Sequence, residues 1–408
     1  MGGGLTGLWS AYYLAKADPA LRIVVLEKER VGFGASGRNG GWCSALFPAS
    51  TARLERLHGR DAALRMRRAM LDTVDEVGRV TTTEGIDCDF AKGGTVTLAR
   101  GEAQWDTARA EVAEAAGYGV DDIRLTERGT FDPACARLHP LKLVLGLAGT
   151  VERLGVTIHE GTEVLDWHAG SVSTAHGTVT APTIVVALEG YGATLPQTHR
   201  DVLPLYSLMI ATEPLDDGTW DELGIAHGQT VADFRHLLIY GQRTADNRFA
   251  FGGRGARYHW GSAIRESYDG VPGVFEHLRR ALIDLFPAAR DAAVTHRWGG
   301  PLGVPRDWHA HAGYDPATGI ASAGGYVGDG LSTTNLAGRT LTDLILGRET
   351  DLTLLPWANH RSPRWEPEPL RFIGANLGTT AMGVADAEER FTHRPSLVAK
   401  LMGPLTGH

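Results

Sequence analysis

Hydrophobic positions along this 408-residue chain recur with two periods, and each period predicts one type of element. Apolar side chains at helical spacing predict a helix that begins directly after Gly4: Leu5, Leu8, Ala11, Tyr12 and Ala15. The same spacing predicts helices within residues 51–80, 101–119, 141–154, 274–286 and 333–346, and a short terminal helix from Ala381 onward. Short apolar runs predict buried strands at residues 23–26, 183–188 and 320–323.

Other segments alternate between apolar and polar residues, as antiparallel strands do. Residues 203–215, 236–244 and 248–260 predict such strands, with a hairpin turn at residues 245–247. Residues 86–100 predict strands around a glycine turn. Prolines and tryptophans in residues 354–378 predict an extended path over the surface.

The first predicted helix follows a glycine motif. Gly2, Gly4 and Gly7 have the G-x-G-x-x-G spacing, and Glu27 ends the next predicted strand. Such glycines let the backbone approach a pyrophosphate, and such a carboxylate accepts hydrogen bonds from an adenosine ribose. Only Met1 precedes the motif where a strand normally does, so we expect the native chain to start a few residues earlier.

Composition and charge narrow the class of protein. With 43% hydrophobic and 22% charged residues the chain is typical of a soluble globular enzyme, and its length favours two domains. The net charge of −8 gives no basic surface for nucleic acid, and the absence of a long apolar run predicts no membrane span and a cytoplasmic location. Three scattered cysteines exclude a disulfide framework, and the histidine spacing predicts no metal site.

Two further segments could approach a flat or anionic ligand. The first is the glycine-rich loop of residues 32–41, followed by Trp42. The second is the turn with Gly325, Gly328 and Gly330, which leads into the helix predicted at residues 333–346.

The stretches GGGLTGLWSAYYLAK, VVLEKERVGFGASGRNGGW, WGGPLGVPRD and GGYVGDGLSTTNLAGRTLTDLILG resemble the flavin-dependent amine and amino-acid oxidases, a family that includes glycine, sarcosine and D-amino-acid oxidases. The loop GASGRNGG most resembles the gamma-glutamylputrescine oxidase branch. The resemblance implies noncovalent FAD, because RWGGPLG lacks the cysteine that binds flavin covalently in some sarcosine oxidases, and we expect Cys43 to be a buried thiol. The implied FAD contacts are Gly2, Gly4, Gly7, Glu27, Ala35, Ser36, Arg38, Asn39, Gly40, Gly41, Val164, Gly190, Gly325, Gly328, Gly330, Leu331, Ser332 and Thr333.

The predicted fold class is α/β: a Rossmann-type FAD-binding domain with a parallel sheet, plus a substrate domain with an antiparallel sheet. We assign the FAD-binding domain to residues 1–80, 141–204 and 296–375, the substrate domain to residues 81–140 and 205–295, and a C-terminal tail to residues 376–408. The sheet of the substrate domain should cover the flavin.

The implied reaction is oxidation of the C–N bond of an amine to an imine by hydride transfer to flavin N5, with the reduced flavin reoxidised by O2 or another acceptor. Trp42 and Trp298 are candidate aromatic walls. Tyr240 and Arg254 are the other catalytic candidates, and Tyr206, Arg243 and Tyr258 could also line the cavity.

Two departures from the family bear on the substrate. Sarcosine-type oxidases carry a lysine just after the glycine turn that holds the substrate carboxylate, and this chain has Leu331 and Ser332 there. The lack of this lysine favours an amine as the substrate, possibly γ-glutamylated or N-alkyl. Arg243 or Arg254 could still anchor a carboxylate, which leaves glycine, sarcosine or a D-amino acid as the alternative. Asp329 stands where the gamma-glutamylputrescine branch usually has histidine, and we expect it to face away from the flavin and accept main-chain hydrogen bonds.

Two hypotheses from other classes remain open: a nicotinamide-dependent dehydrogenase, and a nucleotide-binding scaffold without catalytic activity. The first shares the glycine motif but does not explain the loop at residues 34–42. The scaffold hypothesis is suggested by the absence of a strand before the glycine motif. The sequence leaves the oligomeric state open.

Overall fold

The computed structural model describes residues 1–120, 122–392 and 394–406, with side chains as far as Met402. The helices are α1 (Leu5–Ala17), α2 (Ala35–Arg38), α3 (Thr51–His58), α4 (Arg60–Thr83), α5 (Glu102–Tyr118), α6 (Pro140–Arg153), α7 (Asp217–Leu223), α8 (Pro272–Leu285), α9 (Gly330–Ile345), α10 (Leu370–Thr392) and α11 (Leu397–Thr406). The strands are β1 (Val24–Leu26), β2 (Trp42–Ser44), β3 (Thr95–Leu98), β4 (Arg124–Thr126), β5 (Gly129–Asp132), β6 (Cys135–Arg137), β7 (Thr157–His159), β8 (Val164–His168), β9 (Ser171–Thr174), β10 (Gly177–Thr180), β11 (Ile184–Val186), β12 (Val202–Thr212), β13 (Thr230–Asp233), β14 (Ile239–Arg243), β15 (Phe249–Gly253), β16 (Val294–Pro305), β17 (His311–Asp315) and β18 (Ile320–Gly324).

Two groups of parallel strands meet at the start of the chain. β1 pairs with β7, and β11 pairs with β18, both in parallel. The Met1 amino group donates to the Val185 carbonyl at 2.8 Å, and the Gly2 amide donates to the Leu26 carbonyl at 2.8 Å. The first two residues therefore connect the two groups through backbone hydrogen bonds.

An eight-stranded sheet with the order β16-β12-β15-β14-β13-β3-β5-β4 forms the second layer. Its pairs are antiparallel except for β13 with β3. Phe249 and Phe251 of β15 lie in one buried cluster with Leu278 and Leu282 of α8, so this helix covers one face of the sheet. The parallel strands together with this antiparallel sheet confirm the predicted α/β fold class.

Most of the predicted elements are present, and three predictions need correction. The helix expected over residues 51–80 is broken into α3 and α4 at Gly59, whose φ of +83° is a left-handed conformation that ends the first helix. The helix expected from Ala381 begins at Leu370, so the extended path ends earlier than predicted. β16 was not predicted as a strand; its twelve residues include three glycines, which have low strand propensity, yet pairing with β12 keeps them extended.

The packing of α9 against α1 depends on a glycine. A Cβ atom at Gly338 would lie 2.7 Å from the Trp9 carbonyl carbon and 2.8 Å from the Trp9 Cβ. Trp9 is fully buried, so it has little room to move aside. Gly338 therefore sets the distance between α1, which follows the glycine motif, and α9, which follows the late glycine turn.

We expect Gly338→Ala to lower the free energy of unfolding by about 1–3 kcal/mol, because the added methyl group overpacks this interface. Urea denaturation would measure the change. Gly117→Ala is a matched control, since a Cβ atom at that helical position in α5 has nothing within 4 Å. Alanine should stabilise α5 by about 0.5–1 kcal/mol, and equal effects of the two substitutions would contradict the packing argument.

Candidate functional site

A cavity of about 1500 Å³ lies between the parallel strands and the eight-stranded sheet. Gly2, Gly4 and Glu27 line one part of its wall, and Tyr240 and Arg254 line another. Its volume exceeds the roughly 300–1,000 Å³ of an ordinary small-molecule pocket. The cavity therefore has room for a dinucleotide together with a second small molecule.

Glycines shape the wall next to α1. A Cβ atom at Gly4 would lie 2.7 Å from the Ser36 Oγ, and Gly2 has a φ of +100°. The Gly3 amide donates to the Glu27 Oε2 at 2.7 Å, which joins the turn to the end of β1. Gly4 precedes the first residue of α1 and has no side chain to cap the helix. Because Gly4 and Leu5 line the cavity, the positive end of the helix dipole lies at the cavity wall.

The loop after β1 contains α2, and its residues contact both layers. The Leu5 amide donates to the Ser36 Oγ at 2.8 Å, and the Asn39 side chain donates to the Ala35 carbonyl at 3.0 Å. The Arg38 Nη1 donates to Asp269 Oδ2 at 2.5 Å, while the Phe33 ring lies 4.5 Å from the guanidinium. Arg38 thus lines the cavity but has a partner in the other layer.

The late glycine turn lines the cavity with Gly328, Asp329, Gly330 and Leu331. Val327, just before them, also lines the cavity and has a φ of +53°, which is strained for a β-branched residue. Such strain is concentrated at functional sites.

We expected Asp329 to face away from the flavin, but the structure places it on the wall of the cavity. It lines the wall near Arg254, and burial raises the pKa of its carboxyl group to about 6, although the Arg254 charge opposes this shift. The Arg254 Nη2 donates to the Val327 carbonyl at 2.6 Å, and burial lowers the pKa of this guanidinium. The two opposite charges therefore share a largely desolvated part of the cavity.

Aromatic residues form part of the same wall. The rings of Trp42 and Tyr240 meet edge to face with centroids 5.9 Å apart. The Tyr240 hydroxyl shares a 2.8 Å hydrogen bond with the Ser207 Oγ, and burial raises the pKa of this tyrosine. A Cβ atom at Gly40 would lie 2.3 Å from the Tyr240 ring, so this glycine makes room for it.

Trp298 does not line the cavity. Its indole N–H donates to the Arg38 carbonyl at 2.9 Å, so it supports the loop instead of forming an aromatic wall. Three other candidates for the wall are also elsewhere: Tyr206 is in the core under α8, Arg243 pairs with Asp217, and the Tyr258 hydroxyl donates to Glu368.

The structure divides the predicted cofactor residues into two groups. Those that line the cavity are Gly2, Gly4, Glu27, Ala35, Ser36, Arg38, Asn39, Gly40, Val164, Gly328, Gly330 and Leu331. Those that do not are Gly7, Gly41, Gly190, Gly325, Ser332 and Thr333. Their surroundings explain this: a Cβ atom at Gly7 would lie 2.1 Å from the Gly2 carbonyl oxygen, and Ser332 Oγ donates to the Ser44 carbonyl at 2.5 Å. These residues support the wall from behind.

Sequence reasoning missed Glu189, Trp308 and Tyr326. Glu189 lines the cavity and accepts a short hydrogen bond from the Gly303 amide, and burial raises the pKa of its carboxyl group to about 7 against several backbone N–H donors. Trp308 faces the Arg254 guanidinium at 5.7 Å. Glu189 and Trp308 both have a positive φ, a backbone conformation that no sequence pattern predicts for these residue types.

The C-terminal helices reach the cavity as well. Met382 and Glu389 of α10 and Lys400 of α11 line it. The Asp386 carboxylate accepts hydrogen bonds from the His236 and Leu237 amides at 2.6 and 3.0 Å. Part of the predicted tail is therefore part of the site.

Among the described residues, no group of three or more His, Cys, Asp or Glu side chains is placed to hold a metal ion. No helix in that part of the chain is both long and apolar enough to span a membrane. Cys43, Cys88 and Cys135 are buried and form no disulfide, and Cys43 is not on the cavity wall.

Comparison with known proteins agrees with this geometry. The profile of the DAO family, described as "FAD dependent oxidoreductase", matches residues 1–344. The chain is 31% identical over 378 residues to the probable oxidoreductase OrdL of Haemophilus influenzae, covering 87% of this chain and 84% of that protein. It is 30% identical over 366 residues to gamma-glutamylputrescine oxidoreductase of Escherichia coli, covering 85% and 83%.

The solved structure of glycine oxidase from Geobacillus kaustophilus matches the fold with a TM-score of 0.74 and 22% identity, covering 89% of this chain and 97% of that one. The family profile covers most of the chain, and its description agrees with the glycine turn, the Glu27 carboxylate and the large cavity between two layers. The chain therefore belongs to the DAO family of FAD-dependent oxidoreductases.

Proposed function

We propose that the protein binds FAD noncovalently and oxidises the C–N bond of an amine, γ-glutamylated or N-alkyl, to an imine, with O2 as the final electron acceptor. The observation that carries this proposal is one continuous cavity that joins the α1 glycine turn to a polar and aromatic chamber under the eight-stranded sheet. We further propose that residues 1–80, 141–204 and 296–375 bind FAD and that residues 81–140 and 205–295 form the substrate side.

The residues of the cavity fit FAD. Gly2 and Gly4 line the wall without a side chain, which suits a backbone that must approach a pyrophosphate closely. Glu27 has room at the same end to accept ribose hydroxyls, and the N-terminus of α9 supplies backbone dipoles at the other glycine turn. When bound, FAD supplies a two-electron oxidant for a C–H bond next to nitrogen.

Asp329 is our candidate for the group that prepares the amine. An alkylammonium ion has no lone pair with which to form a C=N bond, so its N–H proton must leave before the C–H bond breaks. A carboxylate with a pKa of about 6 accepts that proton at neutral pH and first attracts the ammonium ion by its charge. The Arg254 charge favours the ionised form of this carboxylate and so opposes the effect of burial on its pKa.

Trp42 and Tyr240 would hold the alkyl part of the substrate and keep water out. Their edge-to-face contact is supported on both sides, because the Trp42 indole N–H donates to the Gly241 carbonyl at 3.1 Å and Tyr240 bonds Ser207. Side chains fixed in this way position a substrate with little loss of entropy on binding.

A second candidate function is oxidation of an amino acid. The observation in its favour is the half-buried Arg254 on the cavity wall, because a guanidinium can pair with a carboxylate through two hydrogen bonds. Against it, Asp329 already compensates the Arg254 charge, and Ser332 is buried behind the wall where a lysine anchor would be needed.

An anaerobic reduction assay tests the function. The purified yellow protein should bleach with monoamines, diamines, γ-glutamylated amines or N-alkyl amines, and bleach more slowly with glycine, sarcosine or D-alanine. Faster bleaching by the amino acids would favour the second function, and the absence of bleaching by any amine would contradict the first.

We expect Glu27→Ala to weaken FAD binding about tenfold to a hundredfold, because hydrogen bonds to a charged acceptor contribute about 1.5–3 kcal/mol. Titration of the apoprotein with FAD, followed by flavin fluorescence, measures the dissociation constant. Glu163→Ala is the matched control, since Glu163 lines the same end of the cavity but pairs with Lys28 at the surface. Equal weakening by both variants would point to a general loss of negative charge.

We expect Asp329→Asn to lower kcat/KM for the amine by about 10²–10⁴ and to remove a rise of kcat/KM with pH centred near pH 6. The sign follows from the raised pKa: below about 6 the carboxyl group is protonated and cannot accept the substrate proton.

The pH profile of flavin reduction, measured by stopped flow, checks this. Glu266→Gln, a second acidic residue on the cavity wall, should keep the rise. Retention of the same pH profile by Asp329→Asn, with full FAD content, would exclude Asp329 as the proton acceptor.

A further inference from the structure

The outward side of α10 is apolar along the whole helix. Its large exposed side chains are Leu370, Ile373, Leu377, Val384 and Phe391, with exposed fractions between 49% and 88%. Thr380 and Ala387 are the exposed residues that fill the intervals between them. We call these seven residues the α10 seam.

The spacing of the α10 seam alternates between three and four residues without a break. This is a period of 3.5, the repeat that keeps one stripe of a helix against another helix in a coiled coil. A flat surface does not require such a repeat. Three heptads of this repeat suit a helical partner.

The residues beside the α10 seam permit close approach. Gly374 and Gly383 flank it, and a Cβ atom at either would have nothing within 4 Å. Among the charged side chains of α10, which is described along its whole length, only Arg390 is exposed. A second helix could pack here without burying a row of charges.

The opposite side of α10 is fixed to its own fold. Asp386 accepts two amides of the loop at residues 236–237, and the Asn376 side chain both accepts from the Tyr258 amide and donates to the Tyr258 carbonyl at 3.1 Å. The α10 seam consequently cannot turn inward without breaking these bonds. Among the described residues, no other part of the chain covers it.

We propose that the α10 seam pairs two copies of this chain, α10 against α10, in a symmetric dimer. Twenty-three helical residues span about 34 Å, and Leu397 and Leu401 of α11, 67% and 78% exposed, add apolar surface beyond the helix end. Together these side chains would bury on the order of 800 Å² per protomer, the usual size of a specific interface.

Charge argues against a lipid surface as the partner. Helices that lie on membranes carry lysine and arginine on the polar face, since the lipids there are anionic. The charged side chains of α10 are instead three acidic residues, Asp386, Glu388 and Glu389, against two arginines, Arg371 and Arg390, and the chain has a net charge of −8. A second copy of the helix meets the α10 seam without this repulsion from lipid.

Light scattering after size exclusion, on the flavin-loaded full chain, tests the dimer. The wild type should have twice the 43.8 kDa of one chain, and Leu377→Lys and Val384→Glu should each have the mass of one chain with unchanged flavin absorbance. Leu145→Lys is the matched control, because Leu145 is 51% exposed on α6, outside the α10 seam, and should leave the dimer intact.

A monomeric wild type at tens of micromolar, or a dimer that both seam variants retain, would overturn the proposal. Sedimentation with phosphatidylcholine vesicles that contain phosphatidylserine distinguishes the other partner class. Pelleting of the wild type with these vesicles, lost in Leu377→Lys, would assign the α10 seam to a membrane and also overturn the dimer.

Discussion

The close approach of three backbone segments at the start of α1 determines where everything else in the site can lie. The Gly3 amide bonds the Glu27 carboxylate, the Leu5 amide bonds Ser36, and Gly4 leaves no space between the helix and the loop. The constraint is steric, since any side chain on Gly4 would displace Ser36. Because α1 is also packed against α9 through Gly338, the late glycine turn is fixed relative to the early one.

The second layer is held to this frame by few but well-placed polar links. Arg38 and Asp269 are both largely buried, at 22% and 18% exposure, and they join the loop before β2 to the segment before α8. Trp298 of β16 bonds the Arg38 backbone from the sheet side. A buried ion pair contributes little net stability but is costly to break from one side, so it suits the role of fixing the separation of the layers. That separation is what leaves the cavity between them.

The sequence predicted the parts of this site that depend on local pattern. The glycine spacing, the helix that follows it and the acid after β1 are near neighbours in the chain, and their geometry follows from short-range rules.

Prediction from the sequence failed for side chains whose position depends on residues far away in the chain. Trp298 is a large aromatic residue in a glycine-rich motif, so it was expected on the wall of the cavity. Its indole N–H instead donates to the Arg38 carbonyl, which holds the ring behind the wall. Asp329 was expected to face away because a carboxylate directed at the flavin would oppose its reduction, and no local pattern showed that Arg254, directly after β15, would lie near it. Glu189 lacked any signal, since its partners come from β16 and the late turn.

The two sides of α10 connect the exterior of the protein to the chemistry in the cavity. On the inner side, Asp386 holds the amides of His236 and Leu237, and His236 Nε2 bonds Glu389 at 2.9 Å. The loop so held also contributes Phe234 and Arg235 to the cavity wall. The loop is thus anchored to α10, and it forms part of the wall of the same cavity that Asp329 lines. Burial is the largest cause of the raised pKa of Asp329, so the access of water to this cavity bears on the ionisation of that carboxyl group.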